Sequence, residues 1–194
     1  MYFVFETTLQ GSRKDIVLAK IQEHPPKTQP HWWDCVMLTA PLPLITFEVT
    51  TTPLPDILFT GSIFDLYSSR VIEILSKAGV LFEFFPAHIV NQFKQTVPNA
   101  EYRIFHLLEK YPGIDLSLSN IDDESMEIRR LVIADEYLQV KKLFFRVKGL
   151  EEIVLIHQEL KELFDAHGIT GCSYTPLNEY RSGIRFYFEQ RKDR

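Results

Sequence analysis

Histidine, cysteine and carboxylate side chains that could do chemistry fall into three groups along this chain. The first is His24, His31, Asp34 and Cys35. His31 and Cys35 stand four residues apart, a spacing that one helical turn brings to one face, and imidazole with thiolate is a zinc-type donor pair. Pro25, Pro26 and Pro30 argue against a helix starting there, because proline lacks the amide donor a helix interior needs. Histidines on a loop and a buried thiol are therefore the expected reading, with no metal site and no cofactor. The second group is Cys172 with His157 and Asp165, a nucleophile, a base and an acid for a hydrolase with a dispersed site. Cys172 falls where the repeat described below has Phe82, so packing explains it better.

The third group is acidic: Asp115, Asp122, Asp123, Glu124 and Glu127. Adjacent carboxylates in a loop face apart and stay solvated, which suits them poorly to paired acid–base work. The stretch also lacks the alternating oxygen ligands and central glycine of a calcium loop. Two readings are left, a solvated turn or a negative patch that docks a basic protein. Charge complementarity of that kind speeds association and excludes wrong partners. Trp32 and Trp33 add an apolar element: two neighbours on a strand face opposite ways, so one is expected in the core and one outside as an interface anchor. No glycine loop for phosphate, no G-x-S-x-G elbow and no H-E-x-x-H pair occurs.

The elements that must position these groups announce themselves by repetition. Ile57-Leu58-Phe59 is followed by Gly61, by a helical stripe Val71, Ile74, Leu75 and Ala78, by Gly79, and by Phe84-Phe85-Pro86. Leu143-Phe144-Phe145 is followed by Gly149, by Leu160, Leu163, Phe164 and His167, by Gly168, and by Tyr174-Thr175-Pro176. Apolar residues at i, i+3, i+4 and i+7 make one face of a helix, and a glycine just beyond is the usual left-handed stop. Ser68 is the expected N-cap of the first helix.

Strands are predicted over Tyr2 to Thr8, Val36 to Leu38, Ile45 to Thr51, Glu101 to Leu108, Arg129 to Ile133 and Gly183 to Glu189. Asp15 to Glu23 fits a short helix or a strand equally well. The expected class is α+β, with a mixed or mostly antiparallel sheet, two related strand–helix–strand units and few helices. One domain is expected, divided into strands and a proline-rich loop (1–56), a first unit (57–100), connecting strands with the acidic loop (101–142) and a second unit with a terminal strand (143–194).

A chain of 194 residues with 45% hydrophobic residues is large enough for a sizeable core. Its net charge of −5 argues against generic nucleic-acid binding, which needs a basic surface. Two cysteines do not make a secreted disulfide framework, and both are expected as buried thiols. The amino terminus carries no signal-peptide pattern, and no apolar run spans a bilayer, so a cytoplasmic protein without membrane contact is expected.

Three stretches together resemble a family of bacterial immunity proteins from polymorphic toxin systems, long classed as a domain of unknown function. They are Ser68-Ser69-Arg70 through Ala78-Gly79-Val80 and Phe84-Phe85-Pro86; Ile128 to Ile133 with Asp135-Glu136; and Leu143 to Gly149 leading into Leu160 to Tyr174-Thr175-Pro176. They lie in roughly the carboxy-terminal two-thirds of the chain, whereas the proline-tryptophan loop at 25–33 has no counterpart. The resemblance implies a non-enzymatic protein that binds the toxin domain made by a neighbouring gene and occludes it one to one. By analogy with acidic inhibitors of basic clefts, Asp115, Asp122, Asp123 and Glu124 are the expected contacts, with Trp32 or Trp33 as anchor. A general interaction module with an unrelated partner, or a homodimer through exposed strand edges, stays open beside it.

Overall fold

The computed structural model describes residues 1–8, 20–21, 32–38, 42–50, 53–60, 62–122, 127–134 and 141–182. The class is α+β, with only two helices among the described residues. The first repeat comprises β4 (Ile57–Leu58), β5 (Asp65–Ser68), α1 (Ser69–Lys77), β6 (Phe82–Asn91) and β7 (Tyr102–Leu107). The second comprises β11 (Phe144–Val147), β12 (Leu150–His157), α2 (Gln158–Ala166) and β13 (Cys172–Pro176). It is completed by β1 (Tyr2–Thr7) from the far end of the chain.

Each unit is a split β-α-β. In the first, β7 lies between β5 and β6 and is antiparallel to both, so α1 crosses over it. In the second, β1 lies between β12 and β13 in the same manner, and α2 crosses over it. The registers coincide residue by residue. Ser68 faces Tyr102 as His157 faces Tyr2, and Phe84 faces Phe105 as Tyr174 faces Phe5. Tyr2-Phe3-Val4-Phe5 thus occupies the place of Tyr102-Arg103-Ile104-Phe105, a likeness hidden by its position before the first unit.

Local chemistry explains the shared outline. Ser68 Oγ accepts the amide of Val71, and the His157 side chain accepts the amide of Glu159, so both helices begin on a side-chain cap. Gly79 (φ +72°) and Gly168 (φ +60°) end them in the left-handed region that a side chain disfavours. The helix faces point inward to one common core holding Val71 and Leu75 of α1, Leu160 and Phe164 of α2, and Phe5, Phe105 and Phe144 from the sheets. Burying each large apolar side chain is worth about 1.5–3 kcal/mol, and this core draws such side chains from both units.

The outer face of each sheet carries its own cover. Over the first lie Trp32, Leu42 and Leu54, with β3 (Ile45–Val49) extending the sheet beside β6 and β2 (Lys20–Ile21) at its edge. Over the second lie Ile114, Ile128 and Leu131, from the segment that holds β8 (Lys110–Tyr111), β9 (Asn120–Ile121) and β10 (Ile128–Arg130).

Several expectations need correction. Val36 to Leu38 is not a strand, because the Leu38 amide donates to the Glu83 carboxylate (2.9 Å) instead of to a ladder. The strand expected over Arg129 to Ile133 runs over Ile128–Arg130, and Ile133 makes only an isolated bridge to Ile114. The helical position Leu163, read as part of the buried stripe, is exposed. Of Asp15 to Glu23 only the short strand β2 is described, and Gly183 to Glu189 lies outside the described residues. No helix among the described residues is long and apolar enough to cross a membrane.

Candidate functional site

The tryptophan pair sits on a single 3-10 turn, Trp32–Asp34, and not on a strand. Trp32 is only 4% exposed, so it is the member of the pair expected in the core, and of the two named contacts it is no surface anchor. Its ring meets Phe64 edge-on at 4.8 Å and stacks on His106 at 4.1 Å. Trp33 is 38% exposed, with Val36 and Met37 exposed after it.

Cys35 makes that arrangement geometrically workable. It is buried and adopts φ +56°, a conformation that costs a non-glycine residue about 1–3 kcal/mol and persists only where its surroundings hold it. Burial raises the Cys35 thiol, which donates to the Trp33 carbonyl (3.6 Å). Asp34 reaches Lys110 at 3.4 Å, and Lys110 lies 3.8 Å from Glu151, tying the turn to the second unit.

A groove of about 250 Å³ opens beside Trp33. Its walls are Trp33 from the first cover, Ile128 from the second, and Leu150, Ile153 and Tyr180 from the second unit. Glu151 and Glu152 give it an acidic rim, and the Gly149 amide holds the Glu151 carboxyl below its ordinary range. The two segments that the repeats do not share therefore meet at one place.

The acidic residues divide. Asp115 Oδ1 accepts the Ser117 hydroxyl (2.6 Å) and the amides of Ser117 (2.9 Å) and Leu118 (3.1 Å). Those bonds, the Ser117 hydroxyl foremost, hold its carboxyl below the usual range, so Asp115 shapes its own turn. Asp122 is exposed at the end of β9, where its amide donates to the Glu127 carbonyl (2.9 Å). Asp123 and Glu124 lie outside the described residues, as do His24 and His31. No group of three or more metal-ligating side chains is gathered among the described residues.

Cys172, His157 and Asp165 make no hydrogen bond to one another. Cys172 is half-buried, not fully buried as expected, and contacts the Tyr174 hydroxyl at 3.3 Å. His157 caps α2, and Asp165 pairs with Lys161 at 2.6 Å. Burial raises the Cys172 thiol, away from the thiolate a nucleophile needs.

A second cavity, of about 210 Å³, lies between the units and is lined by Glu6, Thr7, Asp65, Phe105 and Arg146 among others. Arg146 is 7% exposed; its Nη1 donates to the Glu151 carbonyl (2.9 Å), while Nε finds no partner among the described residues. Burial raises the Asp65 carboxyl, and the Arg146 charge opposes that. Sequence reasoning missed this cavity, and also His106, whose signal is the register it shares with Glu6 between matching strands.

No protein-family model matches this chain, and no curated protein matches it. What it does must be read from its own residues.

Proposed function

We propose that this chain is a non-enzymatic immunity protein that binds a cognate bacterial toxin domain one to one and occludes it, in the cytoplasm of the producing cell. The observation that carries the reading is the groove where Trp33 and Ile128 meet under the acidic rim of Glu151 and Glu152. An aromatic anchor held by packing loses little side-chain freedom on binding, which is how interface anchors concentrate affinity. The acidic rim, together with the acidic run Asp122-Asp123-Glu124 in the sequence, suits a basic cleft on the toxin. The resemblance of the two repeats to immunity proteins points to the same class of partner.

Co-expression with the toxin encoded beside this gene is the test: growth is rescued and a one-to-one complex is isolated. Continued killing with no complex would discard the reading. Replacing Asp122, Asp123 and Glu124 together by alanine should slow association and flatten its salt dependence.

A further inference from the structure

We propose that His106 is held as an imidazolium and that this buried cation is the latch positioning the Trp33 wall of the groove. His106 is 1% exposed and lies between two acceptors. Its Nδ1 is 2.8 Å from Glu83 Oε1, and its Nε2 is 3.0 Å from the Trp32 carbonyl oxygen. A carbonyl only accepts, so Nε2 carries a hydrogen. Glu83 Oε1 already accepts the Leu38 amide at 2.9 Å, which is the behaviour of a carboxylate oxygen and not of a carboxylic O–H. Nδ1 therefore carries a hydrogen as well, and a ring with both nitrogens protonated is a cation. The Trp32 ring stacked 4.1 Å above it stabilises that cation through the indole π-face.

The latch grips the segment at both ends. Trp32 is held through its carbonyl by His106, and Leu38 through its amide by Glu83. Between those two points lie the exposed Trp33, Val36 and Met37 and the left-handed Cys35. The second unit has no such device: Glu6 stands in the place of His106 and faces Ser173 where His106 faces Glu83.

Of the elements around the ring, β6 contributes Glu83, the charged group in contact with it. On β5, Asp65 stands opposite Phe105 and accepts the Thr7 hydroxyl (3.3 Å), while Phe64 just before it meets the Trp32 ring. The Trp32 segment itself carries Asp34 and Cys35, and Lys110, Arg146 and Glu151 from β8, β11 and β12 act on Cys35. With either ring hydrogen missing, a bare nitrogen would face an acceptor at 2.8 or 3.0 Å, so only the doubly protonated ring holds the segment at both points. Only the consequence for the partner rests on the groove being the interface.

The test uses the full chain labelled with 15N. Long-range proton–nitrogen spectra at neutral pH are expected to show both His106 ring nitrogens protonated, with slowly exchanging hydrogens. One unprotonated ring nitrogen in the folded chain would overturn the proposal. In a Trp33→Phe background, Trp32 emission is expected to stay blue-shifted wherever the nitrogen spectra show both ring hydrogens, and to rise and shift to the red wherever they show one nitrogen bare. His106→Gln should show the red-shifted emission at every pH, with unchanged far-ultraviolet dichroism. Blue emission that follows neither the proton nor the substitution would also overturn it. Should His106→Gln not fold, the nitrogen spectra of the unaltered chain decide. A toxin that ignores Trp33 while His106 is doubly protonated would end the interface reading and leave the latch standing.

Discussion

The two units share a register, a capped helix, a left-handed glycine and a proline-ended strand, yet they differ at the position where the central strand leaves the core. The first unit has His106 there, opposite Glu83 and under Trp32; the second has Glu6, opposite Ser173, beside a cavity. A common scaffold can thus be fitted with different outer covers because its stability comes from the inward faces. The outward faces are free to diverge, and the two covers meet at the groove.

The largest effect should come from that shared core. Phe164→Ala is expected to cost about 3–5 kcal/mol, and its counterpart Leu75→Ala about 2–5 kcal/mol. Both should shift one common unfolding transition in urea; two separate transitions would mean that the units unfold apart despite the shared core. Glycines sharpen the comparison next. Gly79→Ala meets open space and suffers only its positive φ, roughly 1–2 kcal/mol. Gly171→Ala, without an equivalent in the first unit, would also set a Cβ 2.0 Å from the Ile57 carbonyl oxygen and should cost more by thermal melt. Equal costs would mean that the loop at Gly171 moves freely away from β4.

Binding provides the third contrast. On the proposed immunity reading, Trp33→Ala should lose about 2 kcal/mol or more of affinity for the cognate toxin by calorimetry, with stability nearly unchanged. Phe84, an exposed aromatic of the first sheet away from the groove, should tolerate alanine without loss. Reversed results would move the interface to the helix side. The smallest effect is acid sensitivity at Asp115. Its folded carboxyl is held below the ordinary range, so the unfolded chain takes up that proton first. The contribution is present above the unfolded value and is lost as pH falls through the folded one. Asp115→Asn should flatten the acid side of the stability profile slightly, as read by urea melts at stepped pH.

Much of the scaffold was legible because its signals are local. Ser68, Gly79 and Gly168 act within one turn of their own helix, and the stripe of Val71 and Leu75 declares its face by spacing alone. The central strand of the second unit was not legible as such, since β1 reaches β12 and β13 only through the full length of the chain. The candidate site was half visible. Trp32 and Trp33 stand out by type, but which of them is buried depends on Cys35 turning left-handed and on His106 lying beneath. Ile128 entered the groove unnoticed, because an isoleucine in a short strand carries no mark of its neighbours.

By itself, the order of residues determined the repeat, the two helices and their ends, and the separation of an acidic segment from an aromatic one. Only the tertiary structure decided that these segments cover opposite units and converge, and that a buried histidine ties down the aromatic one. The physical reason is range. Caps, stops and stripes act over one helical turn, whereas a charged latch and a groove need partners that only a closed core brings together.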